Sequence, residues 1–235
     1  HDSGWLYGEQ RWTVYYPNNG DSTFILRNDD PGLAEMNYNY ERWGHLKLTY
    51  DLTPRIKLNY STLYSSRTYR DYSHDWKYYP IGDLRRYRDG RTNILKMNHA
   101  LSSRMFYELG VTNSFTEYHH FVFEEPYDSR YLHPEYDLAN PPYTLNYAGT
   151  NHNRFRRWTN SNELLGQLSW QATNLHLLKA GVDVKLHDYF YEDINLVPAD
   201  AAQTDTFEAI IEPGSTPSHY LYTTNPYEFA VYLQD

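Results

Sequence analysis

The feature that most constrains this chain is a period-two alternation of apolar and polar residues, sustained over runs longer than the five or six residues of an ordinary globular strand. In the first run Leu46, Leu48 and Tyr50 fall on one side, and His45, Lys47, Thr49 and Asp51 on the other. Past Leu52-Thr53-Pro54 the alternation restarts, with Ile56, Leu58, Tyr60, Thr62 and Tyr64 set against Arg55, Lys57, Asn59 and Ser61. Pro54 opens the second strand without needing a ladder donor, so the two runs predict a hairpin with a tight connection. The unit recurs. Leu95, Met97, His99 and Leu101 oppose Lys96 and Asn98; after Ser102-Ser103, Met105, Tyr107, Leu109, Val111 and Phe115 oppose Glu108, Gly110, Thr112 and Ser114. Then Leu164, Leu168 and Trp170 oppose Glu163, Gln167 and Ser169; after Thr173-Asn174, Leu178, Ala180, Val182, Val184 and Leu186 oppose Lys179, Asp183, Lys185 and His187. Phe229, Val231 and Leu233 begin a seventh run. A one-residue slip would carry every charge to the apolar side, so the register is strongly specified.

The connections have their own pattern. Tight turns fall near Leu52, Ser102 and Thr173, whereas the links over roughly 66–91, 117–160 and 188–226 are long, polar and aromatic. Since consecutive strands reverse direction, all short turns lie at one end and all long loops at the other. Outer-membrane β-barrels are built this way, with short periplasmic and long extracellular connections, while a β-sandwich spreads its loops over both ends. The expected fold is therefore all-β: about seven strands of an antiparallel transmembrane β-barrel occupying residues 43–235. Over residues 1–42, Trp12, Val14 and Tyr16 alternate before a turn signal at Pro17-Asn18-Asn19-Gly20-Asp21; this is read as an extracellular loop region with room for a β-ribbon of its own.

Composition agrees with a wall that is polar on one side. Mean hydropathy is -0.82, too polar for an ordinary packed core of 235 residues. The 26 Tyr, 6 Trp and 9 Phe residues are the amphipathic rings that barrels place at membrane interfaces. Carbohydrate-binding β-sandwiches are also rich in Tyr and acidic residues, so composition alone does not separate the two. A net charge of -9 argues against a nucleic-acid partner. The absence of Cys excludes disulfides, thiolate metal sites and Cys nucleophiles. No apolar run approaches a membrane-spanning helix, and the start at His1-Asp2-Ser3 is expected to be internal or processed.

Three stretches carry a resemblance to a known family: Leu101-Ser102-Ser103-Arg104-Met105-Phe106-Tyr107-Glu108-Leu109; Glu125-Pro126-Tyr127-Asp128-Ser129-Arg130-Tyr131; and Leu178-Lys179-Ala180-Gly181-Val182-Asp183-Val184-Lys185, followed by Asp193-Ile194-Asn195-Leu196-Val197-Pro198. They resemble barrel segments of TonB-dependent outer-membrane receptors, of the Bacteroidetes type with a carboxypeptidase-regulatory-like domain. The resemblance covers roughly Trp43 to Asp235. It implies a twenty-two-stranded barrel around a plug, energised by a TonB-type coupling protein, that takes up a large substrate. The chain is then expected to be a fragment of a larger barrel, with its plug elsewhere in the parent chain and its loops outside the cell. The alternatives are a passive porin or barrel adhesin, and a secreted glycan-binding β-sandwich.

In the barrel reading, Leu46, Leu48, Leu58, Tyr60, Leu109, Val111, Leu168, Trp170, Val182 and Val184 face lipid, with Trp43 and Tyr64 assigned to the same wall or its girdles. Lys47, Lys57, Lys96, Glu108, Glu163, Lys179, Asp183 and Lys185 face the lumen, where they would meet a plug or substrate. Tyr69, Tyr72, Trp76, Tyr78 and Tyr79, interleaved with Arg67, Arg70, Asp71 and Asp75, form the candidate substrate-binding cluster, set against an interfacial girdle with loop packing. His119-His120 with Glu117, Glu124 and Glu125 has metal-ligating groups but matches no defined spacing, so a strand rim is preferred. Arg27-Asn28-Asp29-Asp30-Pro31-Gly32 is read as an Asp-rich turn ahead of a calcium loop. No nucleophile elbow, zinc-protease motif or phosphate loop is present, so neither an enzyme nor a cofactor is expected.

Overall fold

In the computed structural model the alternating runs become strands that continue well beyond the alternation. The structure describes every residue except 1–6, 10–12, 19–20, 27–32, 78, 133–145, 147–148 and 200–206, and within 7–34 it describes strand backbone only. Six long strands follow one another: β5 (Tyr38–Thr53), β6 (Ile56–Arg70), β7 (Arg85–Ser102), β8 (Met105–Phe121), β9 (Asn153–Gln171) and β10 (Leu177–Asn195). Each pairs antiparallel with the next. Two further strands, β13 (His219–Thr224) and β14 (Tyr227–Gln234), pair with the upper and lower parts of β10 in one unbroken register. Between them Pro226 lacks a ladder donor, yet its carbonyl accepts from the His187 amide at 2.9 Å. The eight-stranded sheet is open, with β5 at one edge and β13 and β14 at the other.

The remaining strands are short. β1 (Tyr7–Glu9) pairs with β4 (Leu33–Glu35), β2 (Thr13–Asn18) forms a ribbon with β3 (Asp21–Leu26), and β11 (Val197–Pro198) pairs with β12 (Ala209–Ile210). A 3-10 turn, Pro80–Gly82, sits between β6 and β7. The Arg27–Gly32 turn lies outside the described residues.

Each tight turn uses the same device. The Thr53 hydroxyl oxygen accepts from the amides of Arg55 and Ile56, the Ser102 oxygen from Arg104, and the Thr173 oxygen from Leu175 and His176. In the first two hairpins the register shifts by one residue just before the turn, at Leu52 and at Leu101.

Directly opposed residues share a face. One row of the sheet therefore reads Leu48, Tyr60, Leu95, Val111, Leu164, Val184, Phe229, and the next reads Tyr50, Leu58, Met97, Leu109, Gly166, Val182, Val231. All ten residues expected on the apolar side fall on this one face. The band spans about nine residues in β10, Leu178 to Leu186, the length of a transmembrane strand. A row of Thr62, Asn93, Asn113 and Asn162 crosses its loop-side limit, with Asn113 donating to the side-chain oxygens of Asn160 and Asn162 at 3.0 and 2.9 Å. Beyond it stand Tyr64, Phe115, Trp158 and Phe190, the last two stacked at 5.5 Å. Trp43 departs from expectation. It pairs with Ser65, so it lies on the polar face with Lys47, because an odd position cannot share a side with Leu46 and Leu48.

Nothing described packs on the apolar band. Each long strand makes its substantial contacts only with its hydrogen-bonded neighbours, and Val111 and Leu164 are each 53% exposed. The accessible surface, 15391 Å², exceeds the roughly 11,000 Å² expected of a folded monomer of this mass. The buried core lies instead at the loop end, where Leu84, Val122, Tyr131, Ile194 and Leu196 pack together. Arg154 ties this cap to the sheet, donating to the carbonyls of Phe123 and Glu124 at 2.6 Å each and to the Tyr131 hydroxyl at 3.1 Å.

Candidate functional site

The polar face is knit by charge near the tight turns and turns basic and aromatic near the loops. All eight residues expected on this side lie on it. Asp51 and Lys57 are 3.5 Å apart, Lys96 reaches Glu108 at 3.2 Å, and Lys185 sits between Asp183 at 3.4 Å and Glu163 at 3.6 Å. Further toward the loops one row reads Glu41, Arg67, Arg88, Tyr118, Arg157, Tyr191, Tyr222. The row above it contains Asn39, Tyr69, Arg86, His120, Phe155, Asp193 and Tyr220.

These side chains are fixed by one another. The Arg67 guanidinium lies 4.3 Å over the Tyr69 ring and donates to Asn39 at 2.7 Å; Arg157 lies 5.5 Å from the Tyr118 ring. A relay crosses three strands: Tyr118 to His120 Nδ1 at 3.0 Å, His120 Nε2 to Asn153 Oδ1 at 2.5 Å, and Asn153 Nδ2 to Asp193 Oδ1 at 2.7 Å. With Nε2 donating and Nδ1 accepting, His120 is neutral, and burial pushes its pKa below the ordinary value. Its ring stacks on Phe155 at 5.3 Å. The row below holds Ser65, Gly90, Thr116 and Thr159, small residues that floor a recess of about 360 Å³ under Arg88, Tyr118 and Arg157; Asp89, Glu117 and Trp158 also border it, their side chains turned to the opposite face by the strand alternation. A Cβ on Gly90 would meet the Ser65 oxygen at 2.8 Å, so the floor is close-packed.

Of the described members of the aromatic cluster expected to bind substrate, only Tyr69 reaches this surface. Tyr72 is exposed and bonded to His74 at 2.8 Å. Tyr79 is 4% exposed and, with Trp76, packs against Gly82, where a Cβ would meet both rings and the Gly149 carbonyl. Burial holds the Tyr79 hydroxyl pKa up at about 12. The loop after β6 is joined to the segment before β9 through the Asn151 amide, which donates to the Gly82 carbonyl at 2.9 Å. Tyr78 lies outside the described residues. Arg67 and Arg70 part company: Arg70 is on the apolar side, 6% exposed, with its guanidinium 5.4 Å from the Tyr38 ring. His119 and His120 also face opposite ways, as neighbours in a strand must, and His119 stacks on Tyr87 at 4.8 Å. Among the described residues no group of three His, Cys, Asp or Glu side chains is placed to hold a metal ion.

Sequence reasoning passed over Arg67, Arg86, Arg88, Tyr118 and Arg157 as a group. The signal was Arg86-x-Arg88 and Arg67-x-Tyr69, which continue the polar side of the alternation after its apolar side has turned charged. Set against protein-family models, curated proteins and solved structures, the chain has no match, so no relative assigns a role to these residues.

Proposed function

We propose that this chain is part of the wall of an outer-membrane β-barrel that takes up a large substrate, in the manner of a TonB-dependent receptor, with the apolar face toward lipid and the polar face toward the lumen. The observation that carries this reading is the uncovered apolar band, which runs unbroken across seven neighbouring strands. In water such a face is an aggregation surface; against acyl chains it needs no second layer. The distribution of connections supports the same orientation, since the long connections all leave from the strand ends beyond the Asn row. A secreted glycan-binding sandwich would need a second sheet over this band. The transport step, the plug and the coupling protein rest on the family resemblance, and the charged lumen face is the surface they would use.

The chain has no Cys, so single substitutions give clean probes. With the full-length protein in vesicles, a fluorophore on Leu109→Cys or Val111→Cys is expected to be quenched by brominated acyl chains, while one on Glu108→Cys or Thr112→Cys is not. Equal quenching at all four positions, or none, would reject the barrel wall.

A further inference from the structure

We propose that the recess under Arg88 and Arg157 binds an acidic oligosaccharide, whose anionic groups bridge the two guanidinium groups while a sugar ring lies on Tyr118. This rests on the reading of the polar face as the mouth of the lumen. Arg67 stands directly opposite Arg88 in the ladder. Like charges so placed destabilise a sheet. Carboxylates are plentiful in a chain of net charge -9, and neighbouring arginines hold them: Arg86 has Asp71 at 3.8 Å and Arg156 has Glu117 at 2.6 Å. Among the described residues no carboxylate lies within 4.0 Å of Arg67, Arg88 or Arg157. The two most exposed members of the group, Arg88 and Arg157, thus keep their donors open beside a recess of ligand size.

Geometry narrows the ligand. Arg88, Tyr118 and Arg157 occupy adjacent strands, so the two guanidinium stems start about 10 Å apart with a ring between them, roughly the length of two hexose units. Guanidinium forks suit carboxylate or sulfate, and a tyrosine face suits the C–H face of a sugar. Tyr191 and Tyr222 continue the row beyond Arg157 and extend the same platform.

The test is equilibrium binding to the full-length protein in detergent, with a galacturonate hexamer, a sulfated galactan hexamer, a neutral galactan hexamer and hexaglutamate as probes. One or both acidic sugars are expected to bind with an affinity that falls with salt, the neutral sugar and the peptide far more weakly, and Arg88→Gln or Arg157→Gln to weaken binding by about tenfold or more. Without ligand, Arg88→Gln is expected to raise the melting temperature by relieving the opposed pair; a purely structural arginine would lower it. Absence of binding by both acidic sugars, equal binding of the neutral sugar or of hexaglutamate, or an unchanged affinity in Arg88→Gln overturns the proposal. Lipid quenching at positions 109 and 111 on the same preparation separates the two readings: quenching without binding discards the ligand alone, and binding without quenching discards the barrel alone.

Discussion

His120 shows how one side chain ties the candidate site to pH. It accepts from Tyr118 and donates to Asn153, which in turn donates to Asp193. A protonated ring cannot accept, so taking up a proton forces the Tyr118 bond to reverse, with Nδ1–H donating to the hydroxyl, and leaves a charge in a half-buried site. Burial depresses the folded-state pKa below 6.5, so the stabilisation is fully present above that value and is lost as pH falls through the folded pKa. His119, clustered with Tyr87 and Phe121 at 4.8 and 5.5 Å, shifts in the same direction from the opposite face, again chiefly through burial. Both residues stand on the loop side of the Asn row, outside the apolar band. Thermal unfolding is therefore expected to show lower stability at pH 5 than at pH 7.5, with His120 contributing about 1 kcal/mol or less, since its site is half open to solvent. In His120→Gln the acid-induced loss should shrink by that amount. An undiminished loss would show that His120 is not its source.

At the scale of elements, the three tight turns rest on the hydroxyls of Thr53, Ser102 and Thr173, and two of these each accept two backbone amides. Thr53→Ala or Thr173→Ala is expected to cost about 1 kcal/mol, and Ser102→Ala, which gives up one acceptor, less. Urea unfolding of the refolded protein would rank them; equal effects at all three turns would contradict the count of bonds. These turns were legible because Thr-Pro, Ser-Ser and Thr-Asn interrupt a strict alternation. The two faces were legible for the same reason, Trp43 being the exception, a large ring assigned by type against its own parity. Strand length was not legible. Ser66 to Arg70, Arg85 to Arg91, Glu117 to Phe121, Asn153 to Asn160 and Asp188 to Asn195 belong to strands, yet both of their faces carry charged and aromatic residues, and with no contrast between faces they read as loop. The arginine row was hidden for a further reason. Arg67 and Arg88 become neighbours only once the β6–β7 register is known, and Tyr79 was drawn into a binding cluster because its burial against Gly82 depends on a loop contact that sequence spacing does not encode.

For the whole molecule the decisive question is what meets the edges of the sheet. The side of β5 turned away from β6 carries a ladder of backbone donors and acceptors, of which about eight fall within the apolar band. In hydrocarbon each unpaired group costs several kcal/mol, a total of tens of kcal/mol against a net folding stability of about 5–15 kcal/mol. No surface charge or local twist offsets a deficit of that size. A lipid-facing sheet must therefore have another strand along β5 and another along β14, supplied by the rest of a polypeptide or by a second copy, whereas in water the same groups are satisfied by solvent. Hydrogen exchange on the full-length protein in lipid distinguishes these states amide by amide. In a closed barrel the outward amides of Tyr38–Thr53 are expected to exchange as slowly as the central amides of β8, since both are paired and shielded. Exchange of alternate β5 amides at near-solvent rates, beside slow exchange across β8, would mean an edge in contact with water, and a sheet with that edge does not form the wall of a membrane barrel.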